Sequence, residues 1–325
     1  MLYPSLAIIL GLILLIWSSD LFVDGASNIA RILGVSPLIV GMLVIGFGTS
    51  APEILVSATA AFQGTPALGI GNALGSNITN ITLVLGLTAV FYVLPVHSQL
   101  LKKEMPLILL AAFLSWGLLA DGYFSRIDAM ILFMALVIII SWMIFSAKRE
   151  IKSNDPLITE TIEELPDKLS TKKAIIWTIS GLLILLISSK MLVWGASDIA
   201  HQLGISNLII GLTIVAIGTS LPELAATISS ARKGETDLAV GNIVGSNLFN
   251  TLAVLPIAGI ISPLKTPEGV LDRDMPIMVI LTIVLLIFSF GCIKSKRYKI
   301  TRFKGIILVA AFIAYESLLY FQINT

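Results

Sequence analysis

Gly48-Thr49-Ser50-Ala51-Pro52-Glu53 decides the reading of this chain, because Gly218-Thr219-Ser220-Leu221-Pro222-Glu223 repeats it 170 residues later. A run Gly-Asn-x-x-Gly-Ser-Asn-x-x-Asn follows each copy, at Gly71 to Asn80 and at Gly241 to Asn250. Each hexad sets a helix breaker and a carboxylate inside an apolar stretch. Proline removes a backbone donor and clashes with the carbonyl four residues earlier, so each helix should kink or break there. Irregular backbone at membrane depth persists only where it is buried in protein or lines a cavity. Ionisable groups in hydrocarbon are expensive and mark ion or substrate pathways. Matched interruptions in two halves point to an ion site at the bilayer midplane.

Composition agrees. Of 325 residues, 56% are hydrophobic and only 13% charged, against about 25% charged in soluble domains. Apolar stretches of roughly 18 residues recur from end to end, the pattern of a multi-span α-helical membrane protein. The short alternating segments of a membrane β-barrel are absent. A net charge of +1 gives no footprint for nucleic acid, and the single Cys292 excludes an internal disulfide. Met1 to Leu15 lacks a positive n-region and a cleavage site, and reads as part of the first span.

The expected fold is an all-α membrane protein with ten transmembrane helices. They fall near 5–31, 36–61, 67–93, 104–120, 127–147, 173–201, 206–231, 237–261, 274–292 and 305–322. With the N-terminus outside, inner loops hold 17 of the 21 Lys and Arg. Outer loops then hold only Arg126, Lys265 and Arg273, and Lys190 lies within span six. The positive-inside bias places both termini outside. Residues 19–106 align without a gap on 189–276. Each copy has five spans, and an odd number inverts the second copy. The expected organisation is a first five-helix repeat (1–147, motifs 46–80), a cytoplasmic linker (148–172) and a second five-helix repeat (173–325, motifs 216–250). Helices 2, 3, 7 and 8 are expected to be broken around the central ion site.

Thr49 and Ser50 share a helical face with Glu53, as do Ser76 with Asn80. Span seven repeats the first set with Thr219, Ser220 and Glu223, and span eight the second with Ser246 and Asn250. These are oxygen donors; His97 and His201 fall near span ends and no thiol is present among them. Oxygen cages suit hard cations such as Ca²⁺ and Na⁺. Two glutamates match the charge of one Ca²⁺. Once Ca²⁺ leaves, bare carboxylates repel in a low-dielectric space, so Na⁺ or protons must replace it. Blander readings exist for the other parts: helix packing for Gly71/Gly75 and Gly241/Gly245, interhelical hydrogen bonding for Asn80 and Asn250, and simple kinks at Pro52 and Pro222.

Taken together, the paired Gly-Thr-Ser-x-Pro-Glu and Gly-Ser-Asn-x-x-Asn motifs resemble the α-repeats of the cation/Ca²⁺ exchanger superfamily, and most of all the prokaryotic sodium/calcium exchangers of the YrbG type. The resemblance covers essentially the whole chain. It implies a cluster of cation ligands at Thr49, Ser50, Glu53, Ser76, Asn80, Thr219, Ser220, Glu223, Ser246 and Asn250, with backbone carbonyls at Gly46 and Ala216. It also implies that spans one and six slide over a fixed core, with Gly25 and Gly195 easing the slide or simply packing. Several exchangers carry aspartate at the positions of Asn80 and Asn250, which leaves Na⁺ stoichiometry and K⁺ co-transport open.

The expected function is a secondary antiporter, exchanging Ca²⁺ for Na⁺ in a prokaryotic cytoplasmic membrane. Its partners are the two ions and the bilayer; it needs no cofactor, is not an enzyme, binds no nucleic acid and works as a monomer. A Ca²⁺/H⁺ or other divalent-cation/H⁺ exchanger is the rival, and a cation channel the alternative of another class. Asp20 of span one aligns with Lys190 of span six, and an ion pair between them is expected. Asp24 and Asp198 read as groups at the pathway mouths.

Overall fold

No Asp, Glu, Lys or Arg precedes Asp20, and the only early proline is Pro4, so the first helix runs long as α1 (Leu2–Leu33). The computed structural model of the protein describes residues 2–96, 103–153, 169–203, 216–290 and 298–324. After α1 come α2 (Pro37–Thr49), α3 (Ala51–Phe62), α4 (Pro66–Phe91), α5 (Met105–Leu119) and α6 (Arg126–Ser153). The second half brings α7 (Thr171–Gln202), α8 (Ala216–Thr219), α9 (Leu221–Arg232), α10 (Thr236–Ile261), α11 (Met275–Phe290) and α12 (Arg302–Asn324). Among the described residues α1, α4, α6, α7, α10 and α12 are long and apolar enough to cross a membrane, and the bent pair α2–α3 makes a seventh. Most of the expected linker and the start of the expected span 206–231 lie outside the described residues.

Two of the four expected helix breaks are present as such. α2 and α3 meet at a 42° bend, with Ser50 between them at φ −78, ψ 2. Ser220 separates α8 from α9 at nearly the same angles, φ −89, ψ 3. The expected breaks in spans three and eight are corrected: α4 and α10 each run on as one helix. Both widen into a π-helical turn at the motif asparagine, at Asn80–Leu85 and Asn250–Val254. A π-turn takes in one extra residue while keeping the backbone ladder. No proline stands within either turn, although Pro256 just after the second one removes the donor that would have reached back into it.

The chain forms two compact units, each drawing on both halves of the sequence: Met1–Glu53 with Ile140–Gly245, and Ile54–Ile139 with Ser246–Thr325. In the first unit α1 and α7 pack antiparallel, backbone against backbone. A Cβ on Gly25 would lie 2.5 Å from the Thr178 nitrogen, and one on Gly195 2.7 Å from the Pro4 carbonyl. Small residues permit this approach, as in membrane helix pairs generally. Phe22, Val23, Ala26 and Ala30 of α1 join Val40, Ile45, Leu185, Ala226 and Leu238 in its core. In the second unit α12 packs on the last turns of α4, where Gly305 meets the Gly86 carbonyl. Two antiparallel ladders of two residues per strand staple its loops, β1 (Leu94–Pro95) to β4 (Lys299–Ile300) and β2 (Tyr123–Phe124) to β3 (Leu264–Lys265).

The expected Asp20–Lys190 pair is absent. Lys190 is exposed and forms no ion pair with any of the described residues. Asp20 instead accepts from the Arg232 guanidinium and the Ser229 hydroxyl of α9. The reason is geometric. Gly25 packs at Thr178 and Gly11 at Leu192, so Lys190 lies level with a residue near 13, about seven residues or ~10 Å along the axis from Asp20. Asp24, expected at a pathway mouth, pairs with Lys233, and Asp198 accepts from Gln202.

Candidate cation site

In the first unit the two interrupted helices bring their carboxylates together. Pro52 and Pro222 each stand in the first turn of the restarted helix, where a missing N–H costs little. The carboxylates Glu53 and Glu223 follow directly, also within that first turn. Negative charge is favoured at this end of a helix. Glu53, Thr49, Ser50, Ser220 and Glu223 are all buried, with Glu223 and Ser50 at 0% exposure; Thr219 is partly buried. Glu223 faces Glu53, Thr49 and Ser50. Neither Glu223 oxygen makes a hydrogen bond, and the Ser50 and Ser220 hydroxyls likewise have none.

Placing an ionised carboxylate in a protein interior costs several kcal/mol unless it is paired or coordinates a cation. The groups that act on Glu223 are the neighbouring Glu53 carboxylate and the hydroxyls of Thr49 and Ser50. The arrangement is therefore complementary to cations, metal ions or protons. Among the described residues no three of His, Cys, Asp and Glu cluster together. A cation here meets at most two carboxylates, and hydroxyl, carboxamide and carbonyl oxygens must complete its shell. That is the donor set of hard cations, not of zinc or copper.

In the second unit Ser76, Asn80, Ser246 and Asn250 are buried. Both polar atoms of the Asn80 and Asn250 carboxamides lack hydrogen bonds. Buried amides are nearly always satisfied, and Asn247 shares this unsatisfied state with them. Asparagine as interhelical glue does occur, one residue over: Asn77 donates to Thr251 at 2.8 Å.

Sequence reasoning passed over Asn242 and Asn72. Asn242 donates to the Glu223 carbonyl at 3.1 Å and to the Thr227 hydroxyl at 2.9 Å, and accepts from Thr49 at 3.2 Å. It therefore ties α10 to both interrupted helices. At the matching position Asn72 donates to Ser57 at 3.2 Å, and Ser57 donates to the Gly69 carbonyl at 3.3 Å. The signal was available, since both asparagines stand inside the repeated run. Their role was invisible because their partners are distant in sequence. Of the carbonyl candidates, Gly46 accepts from the Ser50 N–H at 3.2 Å, and Ala216 opens α8.

Buried paired carboxylates on interrupted apolar helices define a polytopic membrane protein with a cation site. The family model for the sodium/calcium exchanger protein matches residues 4–145 and 173–321, and the chain belongs to that family. CaxA of Alkalimonas amylolytica is 47% identical over 98% of this chain and 99% of its own length. The inner membrane protein YrbG of Escherichia coli is 39% identical, covering 98% of both chains. Among solved structures, the sodium-calcium exchanger NCX_Mj superposes with a TM-score of 0.82 at 32% identity, covering 96% of this chain and 97% of its own.

Proposed function

We propose that the protein is a secondary antiporter that exchanges Ca²⁺ for Na⁺ by alternating access. Glu53, Glu223, Thr49, Ser50, Thr219, Ser220, Ser76, Asn80, Ser246 and Asn250 are the cation ligands in this reading. The observation that carries it is the buried Glu223 carboxylate, without a hydrogen bond and turned toward a second buried glutamate. An empty pair of carboxylates is electrostatically disfavoured, so the protein changes faces when loaded. Family membership and the likeness to a sodium-calcium exchanger support the choice of ions. The gapless repeat supports ten spans in two inverted five-helix copies, residues 1–147 and 173–325, and the loop charges support both termini outside. One copy of the chain suffices, because each repeat supplies one carboxylate.

The absence of further carboxylates favours one rival. With asparagine at 80 and 250, the ligand set carries two negative charges, and two protons neutralise it as well as two Na⁺. Flux of radioactive Ca²⁺ in proteoliposomes under separate Na⁺, K⁺ and H⁺ gradients decides. Uptake driven by the Na⁺ gradient at clamped pH is the expected result. Uptake that follows only the pH gradient makes the protein a Ca²⁺/H⁺ exchanger, and a single-channel current would replace exchange by a channel.

A further inference from the structure

The inner half of α1 carries a set of contacts that the ion site does not require. Arg232 approaches both carboxylate oxygens of Asp20, and Ser229 donates to the same group. Lys233 pairs with Asp24 and also donates to the Asp20 carbonyl at 3.0 Å. Ser229 and Arg232 stand in the last turn of α9 and Lys233 caps it, while the other end of the helix holds Glu223. Between them Glu223, Thr227 and Ser230 follow at helical spacing along one face, each at 0% exposure. The Ser230 hydroxyl makes no hydrogen bond. A buried polar stripe thus leads from the candidate site toward the ion pairs.

The repeat provides an internal comparison. At the positions 170 residues away from Asp20, Asp24, Arg232 and Lys233 stand Lys190, Trp194, Phe62 and Gln63. None of these is an acid, so the contacts cannot recur in the other copy. We propose that Asp20 and Asp24, clasped by Arg232, Lys233 and Ser229, form a charge latch that closes the inner mouth of the cation pathway and has no equivalent at the outer mouth. The latch rests on the exchange reading and the orientation given above. Its strength suits a gate. The Asp20–Arg232 pair is partly exposed, with side-chain exposures of 30% and 47%, so solvent screens it. Such pairs shift an equilibrium by about fivefold at most, enough to set a resting state and little enough to reopen. With one mouth latched and the other not, the state open to the outside is the favoured one in the absence of ions.

The test uses full-length protein in proteoliposomes, with Cys292→Ser and a reporter cysteine, Ser230→Cys. A charged, membrane-impermeant thiol reagent is added to one face at a time. Asp20→Asn and Arg232→Gln should each speed labelling from the inner face by about fivefold. The exchanged pair Asp20→Arg with Arg232→Asp should restore slow labelling, and Lys190→Met should leave the rate unchanged. Equal rates with and without the latch would overturn it, as would an exchanged pair that labels as fast as the single variants, or labelling from the outer face. Lys233→Gln serves as the milder variant if the others fail to fold. Na⁺-driven Ca²⁺ uptake by the Cys292→Ser parent is measured first. Its absence sinks the exchange reading, while the labelling rates still decide the latch.

Discussion

At the scale of single residues, the proposed cation ligands are buried polar groups on apolar helices. Glu223 has lost its water and gained no donor, so Glu223→Gln, which keeps the shape and removes the charge, should bring Ca²⁺ flux down to that of protein-free liposomes while the protein stays monodisperse. Asn242 acts one step back from the ions. Asn242→Ala strips partners from Thr49, Thr227 and the Glu223 carbonyl. It should cost about 1–3 kcal/mol of stability and weaken the apparent Ca²⁺ affinity by about 10- to 100-fold, read from unfolding curves and from Ca²⁺-dependence of flux. Glu235, in the turn between α9 and α10, titrates near neutrality. Burial, reinforced by Asp24, pushes its carboxyl from 4.5 up to about 7, against the opposing pull of Ser27 and Lys233. The fold favours the protonated form. Stability from this group is therefore complete below about pH 4.5 and lost as pH rises through about 7. Glu235→Gln should flatten that decline, measured as the difference in Tm between pH 5 and pH 8. The glutamates, serines and asparagines of the motifs stand out in the sequence because each combines polarity with an apolar context, and the structure buries Glu53, Glu223, Ser50, Ser220, Asn80 and Asn250. Asn242 and Asn72 do not stand out, because a clasp is defined by its partner.

At the scale of elements, the two interruptions and the helix contacts matter. Ser50 and Ser220 adopt nearly the same dihedral angles, and a proline two residues later in each motif explains why the helices restart there. That much was legible. The π-turns at Asn80 and Asn250 were not, because they leave no compositional mark; glycine and asparagine in the runs suggested breaks where the ladder is merely widened. Glycine serves close contact instead. A Cβ on Gly245 would lie 2.3 Å from the Met42 carbonyl, and one on Gly241 2.6 Å from that of Leu38. Packing of α2 on α10 thus accounts for the second Gly-x-x-x-Gly pair. Gly245→Ala should destabilise the protein by about 1–3 kcal/mol, seen as a lower midpoint of unfolding in detergent. Gly25 and Gly195 let α1 pack against α7 backbone to backbone.

For the whole molecule, cation binding and folding are linked. The acidic pair is unfavourable when empty, and any ion that binds the folded chain stabilises it. Saturating Ca²⁺ at ~100 times its Kd should add about 2.7 kcal/mol. Raised thermal stability with Ca²⁺ is expected for the parent protein and should vanish in Glu53→Gln with Glu223→Gln. Stabilisation that survives in that double variant would place Ca²⁺ elsewhere.

What the sequence determined alone is whatever depends on local chemistry and repetition: an apolar helical chain, two copies of one motif, a proline-interrupted helix beside each carboxylate, and a set of oxygen-bearing side chains without thiol or imidazole. Hydropathy and proline act within a few residues, so a linear reading captures them. The tertiary structure alone decided who faces whom. Antiparallel packing of α1 on α7 carries Asp20 away from its aligned partner Lys190 and delivers it to Arg232. Asn242 reaches Thr49 across 193 residues of sequence. Pairings of that kind are fixed by how whole helices stack, and alignment of the repeats shows which residues are equivalent, not which ones touch.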